Sequence, residues 1–197
     1  MAITTYAELK TAVANWAHRS DLTSVIPDFI VLAESAIRRD VRVQAMEQTA
    51  TGTLSATTLA TPTRYLEPIR VVLNNREQRY VPPVQFEALE SATTDMFTVV
   101  GTNFVFQSAS ADYDIVYYQA FAAFSGSSDT NWLLTNHPGV YLFAALSELT
   151  SYVSGNPAQW MAKYKAEVAA VMAADQRARF GPRLVVRPDV SLGGGNP

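Results

Sequence analysis

A chain of 197 residues is about the length of one domain and can bury a core without disulfide or metal staples. With 48% hydrophobic and 17% charged residues it is globular rather than disordered, and the absence of cysteine excludes disulfide frameworks, thiolate zinc sites and cysteine nucleophiles. A net charge of -3 argues against a broad grip on phosphate backbones, and the opening MAITTYAELK lacks the basic and apolar regions of a secretory signal, so cytosol-like conditions are expected.

Thr5-Tyr6-Ala7-Glu8 reads as a capping box, and a first helix is expected to about His18, its stripe formed by Tyr6, Leu9, Val13 and Trp16. A second begins near Pro27, with Phe29, Ile30, Ala33, Ile37 and Val41 on one face and Glu34 placed to pair with Arg38 one turn on. Arg38, Arg39 and Arg42 lack the glycine loop and interleaved aromatics of a phosphate site, so they read as solvated or intersubunit salt-bridge residues. From about Met46 the helical period gives way to alternation. Residues 49–63 read as weakly patterned strand and loop. Residues 65–73 form a clearer strand, with Ile69, Val71 and Leu73 on one face, then an Asn74-Asn75 turn and a returning arm to Val81. A short helix is expected over 84–90. A second hairpin is spelled by 96–100, the turn Gly101-Thr102-Asn103 and 104–107, and 112–120 adds a third arm. Aromatics stand on both faces of these strands, so the second face must meet either helices or another copy of the chain.

The most apolar stretch, 131–153, predicts the central core helix, with Asn136 as cap, Pro138 near its first position and a stop at Ser154-Gly155. It is too short to cross a bilayer, which takes about 20 apolar residues, so no membrane partner is expected. A last long helix over 157–179 carries the stripe Trp160, Tyr164, Val168 and Val171. From Phe180 onward Gly181 and Pro182 predict an extended tail containing Arg183-Leu184-Val185-Val186-Arg187. The expected fold class is α+β: a core bundle of about four helices built from both chain ends, with an inserted antiparallel β region and an extended C-terminal tail. The segments are 1–45 (helical pair), 46–122 (β-hairpin region), 123–179 (C-terminal helices) and 180–197 (tail).

Chemistry is scarce. His18 and His137 sit at helix ends without acidic neighbours at metal-ligand spacing. Asp112 and Asp114 share a strand face but lack a third ligand, and read as an edge-protecting pair. Glu148 lies on the apolar helix and is expected to pair with Arg38 or Arg39. No GxSxG, HExxH or Walker sequence occurs, so no catalytic residue, cofactor or metal is expected.

Three words in order, YAELKTAVANWAHR with IPDFIVLAESAIRRDVRVQAME, then YVPPVQFEALES before a hairpin, then NWLLTNHPGVYLFAALSELTSYV before WMAKYKAEVAAV, resemble the head-to-tail adaptor (connector) proteins of tailed bacteriophages. The resemblance covers most of residues 4–175. It implies a structural virion protein of the neck, assembled in the host cytoplasm. In that role it sits in a ring of twelve under the portal protein, docks tail or nozzle proteins, and lets DNA pass without specific binding. On that reading Phe180, Arg183, Leu184, Val185, Val186 and Arg187 are expected to hook the portal, and Phe104, Phe106, Tyr117 and Tyr118 to lie at subunit boundaries. The alternatives are another neck or tail-completion protein, or a tail-associated hydrolase using Glu148 or the aspartate pair as its acid.

Overall fold

Helix starts are set by side chains that take up backbone N–H groups left free by the first turn. Thr5 Oγ1 accepts from Glu8 N at 3.3 Å and Glu8 Oε2 accepts from Thr5 N at 3.0 Å, and this reciprocal pair opens α1 (Tyr6–Ala17). His18 closes it in the left-handed region at φ 52°. The computed structural model describes residues 2–89 and 95–180. In it α2 (Ile26–Asp40) starts with Pro27 in its first turn and ends where Val41 becomes extended. After a 3-10 turn at Gln44–Met46 come β1 (Glu47–Thr53), β2 (Thr58–Ala60), β3 (Tyr65–Leu73), β4 (Arg76–Glu77), β5 (Arg79–Tyr80), α3 (Pro83–Ala88), β6 (Met96–Val100), β7 (Asn103–Phe106) and β8 (Asp112–Gln119). Then follow α4 (Trp132–Asn136), α5 (Pro138–Tyr152) and α6 (Ala158–Phe180).

The strands form two four-stranded sheets, ordered β1-β8-β3-β4 and β2-β7-β6-β5. Asn74 and Asn75, at φ 45° and 65°, make the two-residue turn from β3 to β4, a conformation asparagine tolerates. The returning arm then leaves its sheet. Gln78 N still donates to Val71 O at 2.7 Å, but Arg79 and Tyr80 pair in parallel with Met96 and Phe97 of the second sheet. The β6–β7 hairpin turns at Gly101-Thr102, where Gly101 has φ 60°. The expected third arm does not extend that hairpin: β8 inserts between β1 and β3. Gly52 on β1 makes room for Tyr113: a Cβ there would lie 2.8 Å from the Tyr113 hydroxyl, and that ring would have to shift.

Between the sheets lies a hydrophobic cluster formed by Val71, Leu73, Ile115 and Tyr117 from the first and Phe97, Phe104 and Phe106 from the second. Ile69, expected to share the face of Val71 and Leu73, is instead 43% exposed. The register shifts between Pro68 and Arg70, and that bulge turns Ile69 outward.

The apolar stretch 131–153 is two helices. Pro138 has no N–H and disfavours helical backbone at the residue before it, so His137 sits at φ -139°, ψ 59°, and α4 and α5 meet at a corner. The cap is Asn131, whose Oδ1 accepts from Leu134 N at 2.9 Å, whereas Asn136 Nδ2 donates back to Trp132 O at 2.8 Å. On α5, Val140, Tyr141, Leu142, Ala144, Ala145, Leu146 and Leu149 are buried, and α1, α2 and α6 each pack against it. This second cluster also takes in Val41, Val43 and Met46, together with Leu66 and Tyr118 of the first sheet.

These findings correct the expected architecture of a core bundle of about four helices with one inserted β region. The described residues make six helices and two four-stranded sheets, with two hydrophobic clusters, one of which lies between the sheets and takes no helix residue. The weakly patterned stretch 49–63 falls largely within β1 and β2, which supply an edge to each sheet. Sheet faces cover one another there, and β-region side chains enter the helical cluster, so the helices do not close a bundle by themselves. The expected tail lies outside the described residues, except for Phe180 as the last residue of α6.

Candidate interaction surface at the end of the last helix

Asp175 and Arg179, four apart, face the same side of α6. Asp175 Oδ2 accepts from Arg179 Nε at 2.6 Å, and its Oδ1 accepts from Gln44 N at 2.7 Å, which pins the 3-10 turn to the helix. Arg179 also pairs through Nη1 with Glu47 and donates from Nη2 to Tyr118 Oη at 3.3 Å. Glu47 and Tyr118 are themselves paired across β1 and β8. The hydrogen bond to Asp175, followed by that to Glu47, pushes the Arg179 guanidinium above its already high ordinary value. The last described turn of the chain is thus fixed at the first residue of β1 by a planar fork that only arginine offers.

Of two grooves, the first borders this junction through Gln44 and Asp175. This groove of about 520 Å³, between the 3-10 turn, α4 and α6, is walled by Ala45, Trp132, His137, Val171, Ala174 and Ala178. The other, about 270 Å³, lies between α2 and residues 120–123, with Val31, Glu34, Arg38, Arg64, Phe121 and Tyr141 around it. Glu34 does not pair with Arg38. Its Oε1 accepts from Phe124 N at 2.8 Å, and burial pushes its carboxyl up.

The sequence-derived candidates are mostly occupied within the chain. Arg39 bonds Asp40 at 2.8 Å, and Arg42 bonds Glu67 at 2.7 Å and the carbonyls of Arg38 and Val41. Asp114 pairs with Arg70 at 3.0 Å and Asp112 accepts from Thr53 Oγ1 at 2.7 Å, so each aspartate has its own partner. Glu148 is half-buried on α5, and of its expected partners, Arg38 or Arg39, Arg39 is taken by Asp40. His18 ends α1, and His137 packs on Trp132 with ring centroids 5.4 Å apart. Among the described residues no group of three or more His, Asp or Glu is arranged to hold a metal, and no helix is long and apolar enough to cross a membrane.

Phe104, Phe106 and Tyr117 are buried between the sheets, so any part they play at a boundary between copies runs through the sheets they hold together. Tyr118 is half-buried and faces Arg179. Arg183, Leu184, Val185, Val186 and Arg187 lie outside the described residues. Asp175 and Glu47 were not singled out from the sequence. The Asp175 to Arg179 spacing was a visible signal, but the approach of Glu47 depends on the fold.

The family model of the SU10 adaptor protein matches residues 4–187, which takes in α1 through α6 and the RLVVR word beyond them. No curated protein matches the chain.

Proposed function

Because the chain belongs to the SU10 adaptor protein family, the phage head-to-tail adaptors, we propose that it forms a ring beneath the portal, docks the tail and leaves a channel for DNA. The observation that carries this reading is the match over 4–187, almost the whole chain. The net charge of -3 suits a channel that must not retain DNA. A ring needs two different patches per subunit. The neighbourhood of Tyr118 supplies one, and exposed Ile69 and Tyr80 on the sheets another.

The portal hook is the word at the end of the family match: Arg183, Leu184, Val185, Val186 and Arg187, reached from Phe180. Burying its three apolar side chains yields on the order of 5 to 8 kcal/mol. Fixing its five residues costs roughly 5 to 10 kcal/mol of backbone entropy. One tail therefore holds weakly, and a ring of tails holds firmly because the first attachments raise the effective concentration of the rest. Arg183 and Arg187 favour an acidic portal surface, and added salt weakens that part of the attraction.

The test is mass by light scattering with and without portal, for the full chain and for a chain ending at Arg179. A portal-dependent ring from the full chain, lost in the truncated chain while its melting temperature is kept, is the expected result. A monomer in the presence of portal overturns the ring, and attachment that survives truncation overturns the hook. Tyr118→Asp should weaken ring formation without unfolding the subunit.

A further inference from the structure

The short helix α3 is fixed at its start. Arg79 and Tyr80 before it pair with β6, Val81 N donates to Phe97 O at 2.9 Å, and Pro82 O accepts from Gln85 N and Phe86 N at 3.0 and 2.9 Å. Beyond that start none of its six residues is buried, and a helix so short draws little stability from its own hydrogen bonds. Val84 is 83% exposed, more than any other large apolar side chain among the described residues. Glu87 and Ala88 lie three and four positions on, so they share its face. Among the described residues Glu87 has no ion-pair partner. The helix thus presents an apolar side chain beside an unpaired carboxylate.

The groove of about 270 Å³ between α2 and residues 120–123 has the matching features. Val31, Glu34, Ser35 and Arg38, at spacings of three and four, turn one side of α2 toward it, and Phe121, Ala122 and Ala123 form its other wall. Val31 is 58% exposed there. Arg38 and Arg64 both line the groove and both are exposed. Among the described residues neither has a carboxylate partner, and Arg64 Nη2 donates to the neutral Gln119 Oε1 at 3.3 Å. Glu34 is the one carboxylate in the lining, so two cations against one anion leave the groove positive on a chain of net charge -3. The larger groove beside α6 has the wrong charge for Glu87, because its charged lining residue is Asp175, already bonded to Arg179.

We infer that α3 of one copy docks in the groove between α2 and residues 120–123 of the next, with Val84 on the apolar walls and Glu87 beside Arg38 and Arg64. The choice of a second copy as occupant rests on the ring reading. The contact joins two different patches, as a closing ring requires. It also falls beside the surfaces given to that ring above: α3 follows closely on Tyr80, and residues 120–123 follow directly on the strand that holds Tyr118.

Charge reversal tests the pairing, read by light-scattering mass with portal present. Glu87→Arg alone and Arg38→Glu alone should each raise the concentration needed for assembly at least about tenfold, because like charges then meet. Combined in one chain they restore opposite charges across the contact and should regain most of the wild-type assembly. Both positions are exposed, and an unchanged melting temperature confirms that each variant folds. Single variants that assemble like the wild type overturn the docking and leave the ring reading standing, and so does a double variant as weak as the singles. A wild type that stays monomeric with portal overturns the ring reading itself, and the docking falls with it. Because the chain has no cysteine, the contact can also be trapped by mixing a Val84→Cys chain with an Ala122→Cys chain and adding a short bis-maleimide. Links between the two variants support the docking. Links between two Val84→Cys chains instead would mean a symmetric contact and would overturn it.

Discussion

The two hydrophobic clusters differ in how they end. Around α5 the buried residues pack against α1, α2 and α6, with Leu66 and Tyr118 of the first sheet at the margin, and within each helix the backbone bonds to itself, so the helix faces offer a partner side chains, such as Trp16 at 45% exposed. Between the sheets the closure is aromatic, with Phe97, Phe104 and Phe106 at centroid separations of 6.0 to 6.2 Å, but the backbone runs on to edges that have no partner strand among the described residues. The helical half offers a partner chiefly shape and side-chain chemistry, whereas the β half also offers main chain at its edges. On the proposed role, a subunit that joins copies of itself and other proteins would use both kinds of surface.

The hardest blow to this contrast is Phe104→Ala, which removes a fully buried ring from the sheets' own cluster. A loss of about 3 to 5 kcal/mol is expected, read by denaturant melts. One transition would show that the clusters melt together, and two transitions in calorimetry would show that each is a folding unit. Leu146→Ala is the matching cut at the α5 hub, where Leu146 is 1% exposed. About 2 to 5 kcal/mol should be lost, and an unchanged melting temperature would remove α5 from the centre of the helical half.

Asn131→Ala is a smaller cut at the corner between α4 and α5. It takes away a cap worth about 1 kcal/mol and also the donor from Asn131 Nδ2 to Tyr141 Oη at 2.8 Å, so thermal stability should fall modestly with the fold intact. The smallest effect is Glu34→Gln. The carboxyl of Glu34 is raised in the folded chain, chiefly by burial, so its contribution to stability is fully present below its unfolded pKa and is lost as pH rises through the folded value. The glutamine variant, which keeps an oxygen for Phe124 N, should equal or exceed the wild type at neutral pH. It should lose that advantage as pH falls to about 4. A wild-type advantage at neutral pH would mean that the charge of Glu34 is compensated in a way its surroundings do not show.

Local signals were legible where one residue decides one conformation. The Thr5–Glu8 box, the Asn74-Asn75 turn and the glycine of the 96–107 hairpin each follow from a side chain acting on its own backbone. Of the α6 stripe Trp160, Tyr164, Val168 and Val171, the last three are buried and Trp160 is half-buried. Pairings at long range were not legible. Nothing in 112–119 says that it lies between β1 and β3, because alternation reports two faces and not which neighbours sit at the edges. Pro138 was read as a helix start, yet its effect on the preceding residue, the break at His137, moved the cap to Asn131. At the interaction surface, Asp175 and Arg179 carried a readable spacing, while Glu47 enters only because β8 brings Tyr118 and β1 to the same place.

The tie at Arg179 also sets how the subunit carries force. A pull on the chain beyond α6 reaches Asp175 in the same helix, Glu47 at the head of one strand and Tyr118 on the next. Directed along β1, that load falls on seven paired residues in shear, all stretched at once, rather than on a ladder opened one rung at a time. The far end of the loaded strand bears on β8, the interior strand flanked by β1 and β3, so tension at the terminus spreads through the sheet instead of peeling its rim.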